Sequence, residues 1–554
     1  MGEILKYLSL SLSLFLILFS CSLMASNVSD IDQLTSKLNI MDRSGSSSES
    51  ISKSMQILNL IEKNSQEVFS SITNKIKKKV PVNGHQLDLV HRIVSNYLGV
   101  NAFIFSKFEK YNASSAFNNQ KTINKDIIWL SAHIKMIETF NNVFRDLFLS
   151  ESKLRRLIDS TELLYKVKNH QLRKIIKRIS SARHIVTVRK MLKKYNKHKF
   201  ISSKNKFDDY LSSQDVQTLI LDQKLFRSFR EKYSGRIFSD FISNTTKFTT
   251  NQLSGLFGNA VGSVHFRKGY LKEKLDVIDE IRDTLKPLDI ITEKTGFALT
   301  DKFIPGHFGH NALYLGTKEQ LEKINMWNHP SIKPLQEKIE NGYVIIEALR
   351  SGTHLTTIDD FMNIDEFAIL RNINVLEHEN QMFNIYRIAL GQLGKRYDFN
   401  FDVETTDKIV CSELLYQAFD HINWETKKIA GRFTISPDEV AVAALQKDSP
   451  IKLIYFVTAK KEKVIYKTVD DLAQILKYSF NKEKNIYESV KTKCKYKDMT
   501  KDNKFNKCVV TIKELRYKKP LILEEATTEK SYEFNINKII FPKWMTKPAF
   551  IIKN

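Results

Sequence analysis

From residue 47 to 79, "SSESISKSMQILNLIEKNSQEVFSSITNKIKKK" returns its apolar residues at helical spacing, behind a serine-rich entry and ahead of a basic exit. "DIIWLSAHIKMIETFNNVFRDLFL", residues 126–149, keeps the same period. Between residues 26 and 250 the only proline is Pro81, and glycines are few. This half of the chain therefore predicts a helical domain over 26–265. "TTNQLSGLFGNAVGSVHFRKGY", residues 249–270, breaks the pattern with a glycine cluster and marks a boundary. No internal repeat of solenoid period appears.

Beyond the boundary the period changes. "LKPLDIITEKTG", "HNALYLG", "GYVIIEAL" and "DEFAILRNI" predict four short strands, and "PIKLIYFVTA" a fifth. Two segments between them read as helices. "NQMFNIYRIALGQLG" ends at Gly391–Gly394, and "ISPDEVAVAAL" opens on Ser436-Pro437-Asp438-Glu439, a helix-start signal. A third segment, "DKIVCSELLYQAFDHI", reaches Cys411 just before Leu414, Leu415, Ala418, Phe419 and Ile422 line one helical face. The layout is α+β: a mostly helical N-terminal domain, then an antiparallel-sheet domain over 270–460, then an extension over 461–554.

Charge and the N-terminus narrow the setting. A formal net charge of +24 over 554 residues asks for an anionic partner, whether nucleic acid, membrane surface or wall polymer. "MGEILKYLSLSLSLFLILFSCSLMASN" has one lysine, a short apolar run and then small residues, the layout of a secretory signal over 1–25. Leu18-Phe19-Ser20-Cys21 resembles a bacterial lipobox, with Cys21 as the lipidated residue; Phe19 fits that pattern poorly, and cleavage after Ala25 is the alternative. No later stretch is long and apolar enough to span a bilayer. On either reading the chain is exported, to the periplasm or to a lipid-anchored place at the outer membrane, and nucleic acid drops out as a partner.

The segment over 166–199 carries many Lys and Arg and no acid, with Ile175, Ile176, Ile179 and Val186 interleaved. It predicts a pair of basic amphipathic helices. These would meet an anionic membrane or wall surface, or simply form a solvated face around a packed stripe.

Four cysteines are distributed unevenly. Cys21 belongs to the signal. Cys494 and Cys508 flank a polar stretch between two strand-like runs, and in an oxidising compartment the simplest reading is a disulfide. No histidine lies in that stretch to complete a zinc site. Cys411 is left unpaired, as a buried core thiol or a reactive one.

A reactive thiol needs a lowered pKa, which a helix N-terminus helps to supply, and a base held by a third group. "IPGHFGHNALYLG" offers His307 in a glycine loop and His310 at the head of a strand, with small Ala312 two residues on. On the next strand Tyr343, Ile345 and Glu347 share a face, so Glu347 could orient an imidazole.

"LKPLDIITEK", "HNALYLG", "VIIEAL", "GKRYDFNF", "CSELLYQAF" and "SPDEV" stand in the order seen in the permuted papain-like amidases of the YiiX/YaeF type. These are relatives of the NlpC/P60 hydrolases and the lecithin retinol acyltransferases. The resemblance spans about residues 270–460 and does not reach the helical half or the C-terminal tail. It implies a circularly permuted papain-like fold in which the histidine strand precedes the cysteine helix. It also implies Cys411 as nucleophile, His310 as general base and Glu347 as orienting acid. Tyr397, upstream of the cysteine in "GKRYD", resembles the NlpC/P60 tyrosine that lends its hydroxyl; core packing is its other reading. "TKEQLEKINMWNHPSIKPLQEKIENG" reads as an insert before Glu347, a lid carrying Met326, Trp327, His329 and Pro330 or a passive surface hairpin.

These features together imply an exported, thiol-dependent amidase or peptidase-like hydrolase with no cofactor and no metal. Its substrate would be a peptidoglycan peptide or an acyl lipid of the envelope. Two alternatives share the scaffold: a lipid-directed acyltransferase or acyl hydrolase, and a non-catalytic envelope-binding protein.

Overall fold

A computed structural model describes residues 47–198 (except 110 and 119), 206–240 (except 238), 267–296, 306–494 (except 400, 430 and 431), 506–518 and 522–534, with Ile31 and Thr35. The secretory signal, Cys21 and most of the glycine cluster lie outside the described residues. Among the described residues no helix is long and apolar enough to cross a membrane.

The N-terminal half is helical, as its period predicts. Long helices Ser47–Lys77, Gly84–Lys107 and Ile123–Thr139 bury Ile57, Ile61, Val90, Ile93, Tyr97, Leu130, Ile134 and Ile137 in one core. The basic stretch folds as two helices, Gln171–Ile179 and Ala182–His198. Their apolar stripe, with Leu172, Ile176, Ile179, Val188 and Leu192, faces that same core. Val186, grouped with the stripe by sequence, is instead 43% exposed. The pair's apolar face is thus already used, and what remains outward is charge.

The second half is built on a seven-stranded sheet. Its strands are β1 (Ile290–Lys294), β2 (His310–Tyr314), β3 (Ile345–Leu349), β4 (Gly352–Thr356) and β5 (Glu366–Asn372). The short pairs β6 (Arg396–Tyr397) with β7 (Lys408–Ile409) and β8 (Lys427–Ile429) with β9 (Arg432–Thr434) follow outside it, and β10 (Ile451–Ala459) with β11 (Val464–Tyr466) complete it. The order is β11-β10-β5-β1-β2-β3-β4, with every neighbour antiparallel. Strand β4, "GTHLT", has no apolar alternation and goes unnoticed in the sequence; its hairpin with β3 supplies the pairing.

Two expectations are corrected here. The sheet domain does not stop at residue 460, because β11 is its edge strand and Leu472, Ala473 and Leu476 enter its core. The insert between β2 and β3 is neither lid nor hairpin. It forms short helices, Lys318–Lys323 and Gln336–Glu340, joined by a single helical turn, Lys333–Leu335. Leu321, Met326, Ile332 and Ile339 bury into the domain core, with Trp327 packed beside them.

The two halves meet across a polar seam directly behind the helix Cys411–Ala418. The Tyr416 hydroxyl donates to the Val82 carbonyl at 3.0 Å, and the Val82 N–H donates to Glu404 at 2.9 Å. A Cβ on Gly84 would lie 2.6 Å from the Gln417 carbonyl oxygen, so only glycine lets the two helices approach this closely. Arg387 reaches Asp88 at 3.0 Å, and fully buried Lys395 reaches Glu162 at 3.0 Å.

A separate sheet follows: β12 (Tyr478–Asn481), β13 (Ile486–Cys494), β14 (Asn506–Lys518) and β15 (Ile522–Phe534). Its backbone register sets Cys494 directly opposite Cys508 on neighbouring antiparallel strands.

Candidate active site

Cys411 is the first residue of its helix. The chain arrives from β7, which runs parallel to β6, and Val410 is extended (φ −104°, ψ 167°) before the helix turns. The Glu413 carboxylate accepts the Val410 N–H at 3.0 Å and so closes the helix entry. Every residue of Cys411–Ala418 is buried. Ser412 donates its hydroxyl to the Asn311 side chain at 2.8 Å. That bond ties the start of the helix to β2.

β2 carries His310 at its head. Ala312 on β2 stands opposite Glu347 on β3, so His310 and Glu347 are diagonal neighbours on one face of the sheet. His310 Nε2 lies 2.8 Å from Glu347 Oε2. The same imidazole stands close enough to Cys411 for the two side chains to act on each other electrostatically. The structure thus brings together Cys411, His310 and Glu347, three residues far apart in the chain.

Electrostatics follow from that contact. Burial alone would push the Cys411 thiol up, but the charge and hydrogen bond of His310, with help from the Asn311 backbone and Ser412, bring it below its ordinary value. Burial would lower the His310 imidazole. Cys411 and Glu347 outweigh it and hold the ring well above its ordinary value. Both shifts favour a thiolate–imidazolium pair across the neutral range. Alkylation of Cys411 by iodoacetamide should therefore titrate with a midpoint below the free-thiol value of ~8.5. The His310→Ala variant should move that midpoint upward, because it removes the cation and leaves the burial. Turnover that needs the imidazolium as acid should survive past the usual imidazole range and fall only as pH rises through the raised His310 value.

Tyr397 ends β6 beside this pair. Burial, followed by the charges of Cys411 and Glu413, pushes its hydroxyl far up, so it stays protonated and able to donate. Phe399 and Phe401 contact its ring edge-on, with centroids 5.0 and 6.3 Å away. Asp398, the next residue, is fully buried and donates its N–H to the Ile409 carbonyl at 3.2 Å. The Tyr397 segment is thereby tied to the strand that leads into Cys411.

His307 does not join the site. Its Nε2 lies 2.9 Å from Glu366, which also meets Lys467 at 3.2 Å. Three further residues escape sequence reading. His354 on β4 lies 3.6 Å from the second Glu347 oxygen and backs the carboxylate from behind. Asn311 is the tether for Ser412. Asp438 accepts the N–H groups of His307 and Phe308 at 2.9–3.0 Å and so anchors the loop leading into β2. In "SPDEV" the helix entry belongs to Ser436 and Glu439, whose carboxylate accepts the Ser436 N–H at 2.8 Å. The spare carboxylate at Asp438 was the one available signal of a longer reach.

Residues 284–479 match the family model described as permuted papain-like amidase enzyme, YaeF/YiiX, C92 family. No curated protein and no solved structure matches the chain. The match falls on the sheet domain, whose histidine strand ahead of the cysteine helix agrees with a permuted papain-like arrangement. An amidase family supports a hydrolase as the class of the protein.

Proposed function

We propose that the chain is a cysteine-dependent hydrolase that cleaves an amide, or an ester, through Cys411, His310 and Glu347. The observation that carries this reading is the continuous buried contact from thiol to imidazole to carboxylate. The Cys411 thiolate adds to the carbonyl carbon, and the electron pair of the C=O bond moves to oxygen. That oxyanion is met by the Cys411 backbone N–H, which has no intrahelical acceptor at a helix start, and by the Tyr397 hydroxyl. His310 then gives its proton to the leaving amine or alcohol as the C–N or C–O bond breaks. Water, deprotonated by the same ring, releases the acid and restores the thiol. Glu347 holds the ring with Nδ1 towards sulfur and stabilises its charge.

The substrate we propose lies in the cell envelope, as a peptidoglycan peptide or an acyl lipid or lipoprotein. The signal-like N-terminus supports export, with Cys21 as the lipid anchor. Incubating the full chain with peptidoglycan and, separately, with envelope lipid extract, then weighing products by mass spectrometry, tests both classes. A new mass that persists with Cys411→Ala would defeat the thiol mechanism.

The basic helix pair supports a docking role towards anionic wall or lipid, by surface charge rather than insertion, because its apolar stripe is packed inside. Reversing several charges among Lys174, Lys177, Arg183, Lys190 and Lys193 should weaken binding to anionic vesicles most strongly at low salt. Cleavage of a small soluble substrate should be unchanged. Binding that is insensitive to salt in the parent chain would rule this surface out.

A further inference from the structure

Arg350 forms the tip of the β3–β4 hairpin together with Ser351, between the paired residues Leu349 and Gly352. The hairpin is pressed onto the segment that carries Tyr397. Thr353 donates its N–H to the Lys395 carbonyl at 2.9 Å, and Gly394 donates to the Thr353 carbonyl at 2.9 Å. Gly352 has φ +110°, and a Cβ there would stand 2.9 Å from the Lys395 carbonyl oxygen. The hairpin tip is therefore fixed to within a few residues of Tyr397, close enough for the Arg350 charge to act on the Tyr397 hydroxyl.

At this place the guanidinium is incompletely matched. Arg350 Nη1 is buried and meets no hydrogen-bond acceptor among the described residues. By comparison, Arg371 is matched by Asp289 at 2.7 Å, Arg387 by Asp88 and Arg155 by Asp240. A buried donor of a cationic group left without an acceptor is costly, and an anion arriving from outside relieves that cost. Tyr397 is the neighbour that Arg350 and Cys411 share.

We propose that Arg350 is a specificity-determining residue that receives an anionic group, a carboxylate, on the substrate beside the scissile carbonyl. The assignment rests on the hydrolase reading of the Cys411 site and narrows its substrate class to acidic amides. A single carboxylate fits better than a dianionic phosphate. Arg350 offers a single positive charge, while the Asp398 carboxylate already lies near Tyr397. A second negative charge there would be repelled.

The experiment needs no known substrate. Cys411 in the full chain is alkylated by neutral iodoacetamide and by anionic iodoacetate, and the ratio of rates is compared among the parent, Arg350→Ala and Arg350→Lys. The expected result is a fall of about 10-fold in the iodoacetate rate for Arg350→Ala, the size of one charge-assisted hydrogen bond. The iodoacetamide rate should stay within roughly twofold, and Arg350→Lys should recover part of the loss. Equal falls for both reagents would make Arg350 a structural residue, and an unchanged ratio would remove the anion subsite. Protection of Cys411 by an N-acetyl dipeptide acid should exceed protection by its C-terminal amide in the parent alone. Stronger protection by inorganic phosphate than by the acid would overturn the carboxylate assignment. Failure of the hydrolase reading looks different: iodoacetamide would then react with the parent no faster than with a free thiol, whatever the ratio.

Discussion

Replacing Cys411 with alanine is expected to abolish nearly all turnover, on the order of 10⁴–10⁶-fold in kcat, and His310→Ala to cost about as much. The double variant should cost little more than either single one. Thiol and imidazole work as one unit, because the thiolate exists through the imidazolium and the imidazolium through the thiolate. Once one is gone, the other has nothing left to contribute. Glu347→Gln should be milder, with a loss of roughly 10–1000-fold, since an orienting acid holds the ring but does not touch the reacting carbon. His354 stands 3.6 Å behind that acid and remains to hold the residue in place. Steady-state kinetics of the four variants on the product-yielding envelope fraction decide the matter. Additive losses for Cys411→Ala and His310→Ala would mean that the two residues act separately. Full biological activity in Cys411→Ala, with loss in the basic-face variant, would instead establish a binding protein on a hydrolase scaffold.

The second large effect is expected far from the thiol. Lys395 is fully buried two residues before Tyr397, and its ammonium meets Glu162 of the helical half at 3.0 Å. Glu162→Ala leaves that charge buried without its partner, which costs on the order of 3–5 kcal/mol. Chemical denaturation should report that loss. Turnover should fall as well, because the carbonyl of the same Lys395 pins the Tyr397 segment to β4. The paired replacement Glu162→Leu with Lys395→Met removes both charges together and should restore most of the stability. A Glu162→Ala protein as stable as the parent would show that the seam does not couple the two halves. The expected coupling makes the helical half a structural part of the enzyme as well as a charged surface. Tyr416, Gln417 and Asp420, all on or just beyond the cysteine helix, are held by Val82, Gly84 and His85.

Local pattern was enough for the elements that bury one face. The helical period of 47–79 and 126–149, the apolar runs of β1, β2, β3, β5 and β10, and the single cysteine before an amphipathic turn each state their structure through burial, which repeats along the chain. The order of six short motifs carried the permuted papain-like fold, because order along the chain is itself sequence information. Pairing carries no such local mark. Strand β4 is polar and exists because β3 offers it a partner, and the insert's short helices exist because Met326 and Ile332 find room in a core assembled from both sides. The edge strand β11 lay beyond the apparent domain end for the same reason.

At the site, residue types and their order along the chain pointed to Cys411, His310 and Glu347, since only a few residues can serve as thiol, base or acid at such element ends. Tertiary structure decided everything that depends on distance. It turned His310 rather than His307 towards the thiol, because Glu366, itself paired with Lys467, holds His307 away. It set His354 behind Glu347, tied Ser412 to Asn311, and sent Asp438 to the loop before β2 rather than to its own helix. It left Arg350 Nη1 without a hydrogen-bond partner among the described residues and pressed the helical half against the back of the cysteine helix. Those outcomes come from contacts between residues far apart in the chain, where a shift of one ångström makes or breaks a hydrogen bond, and no repeating pattern along the chain records them.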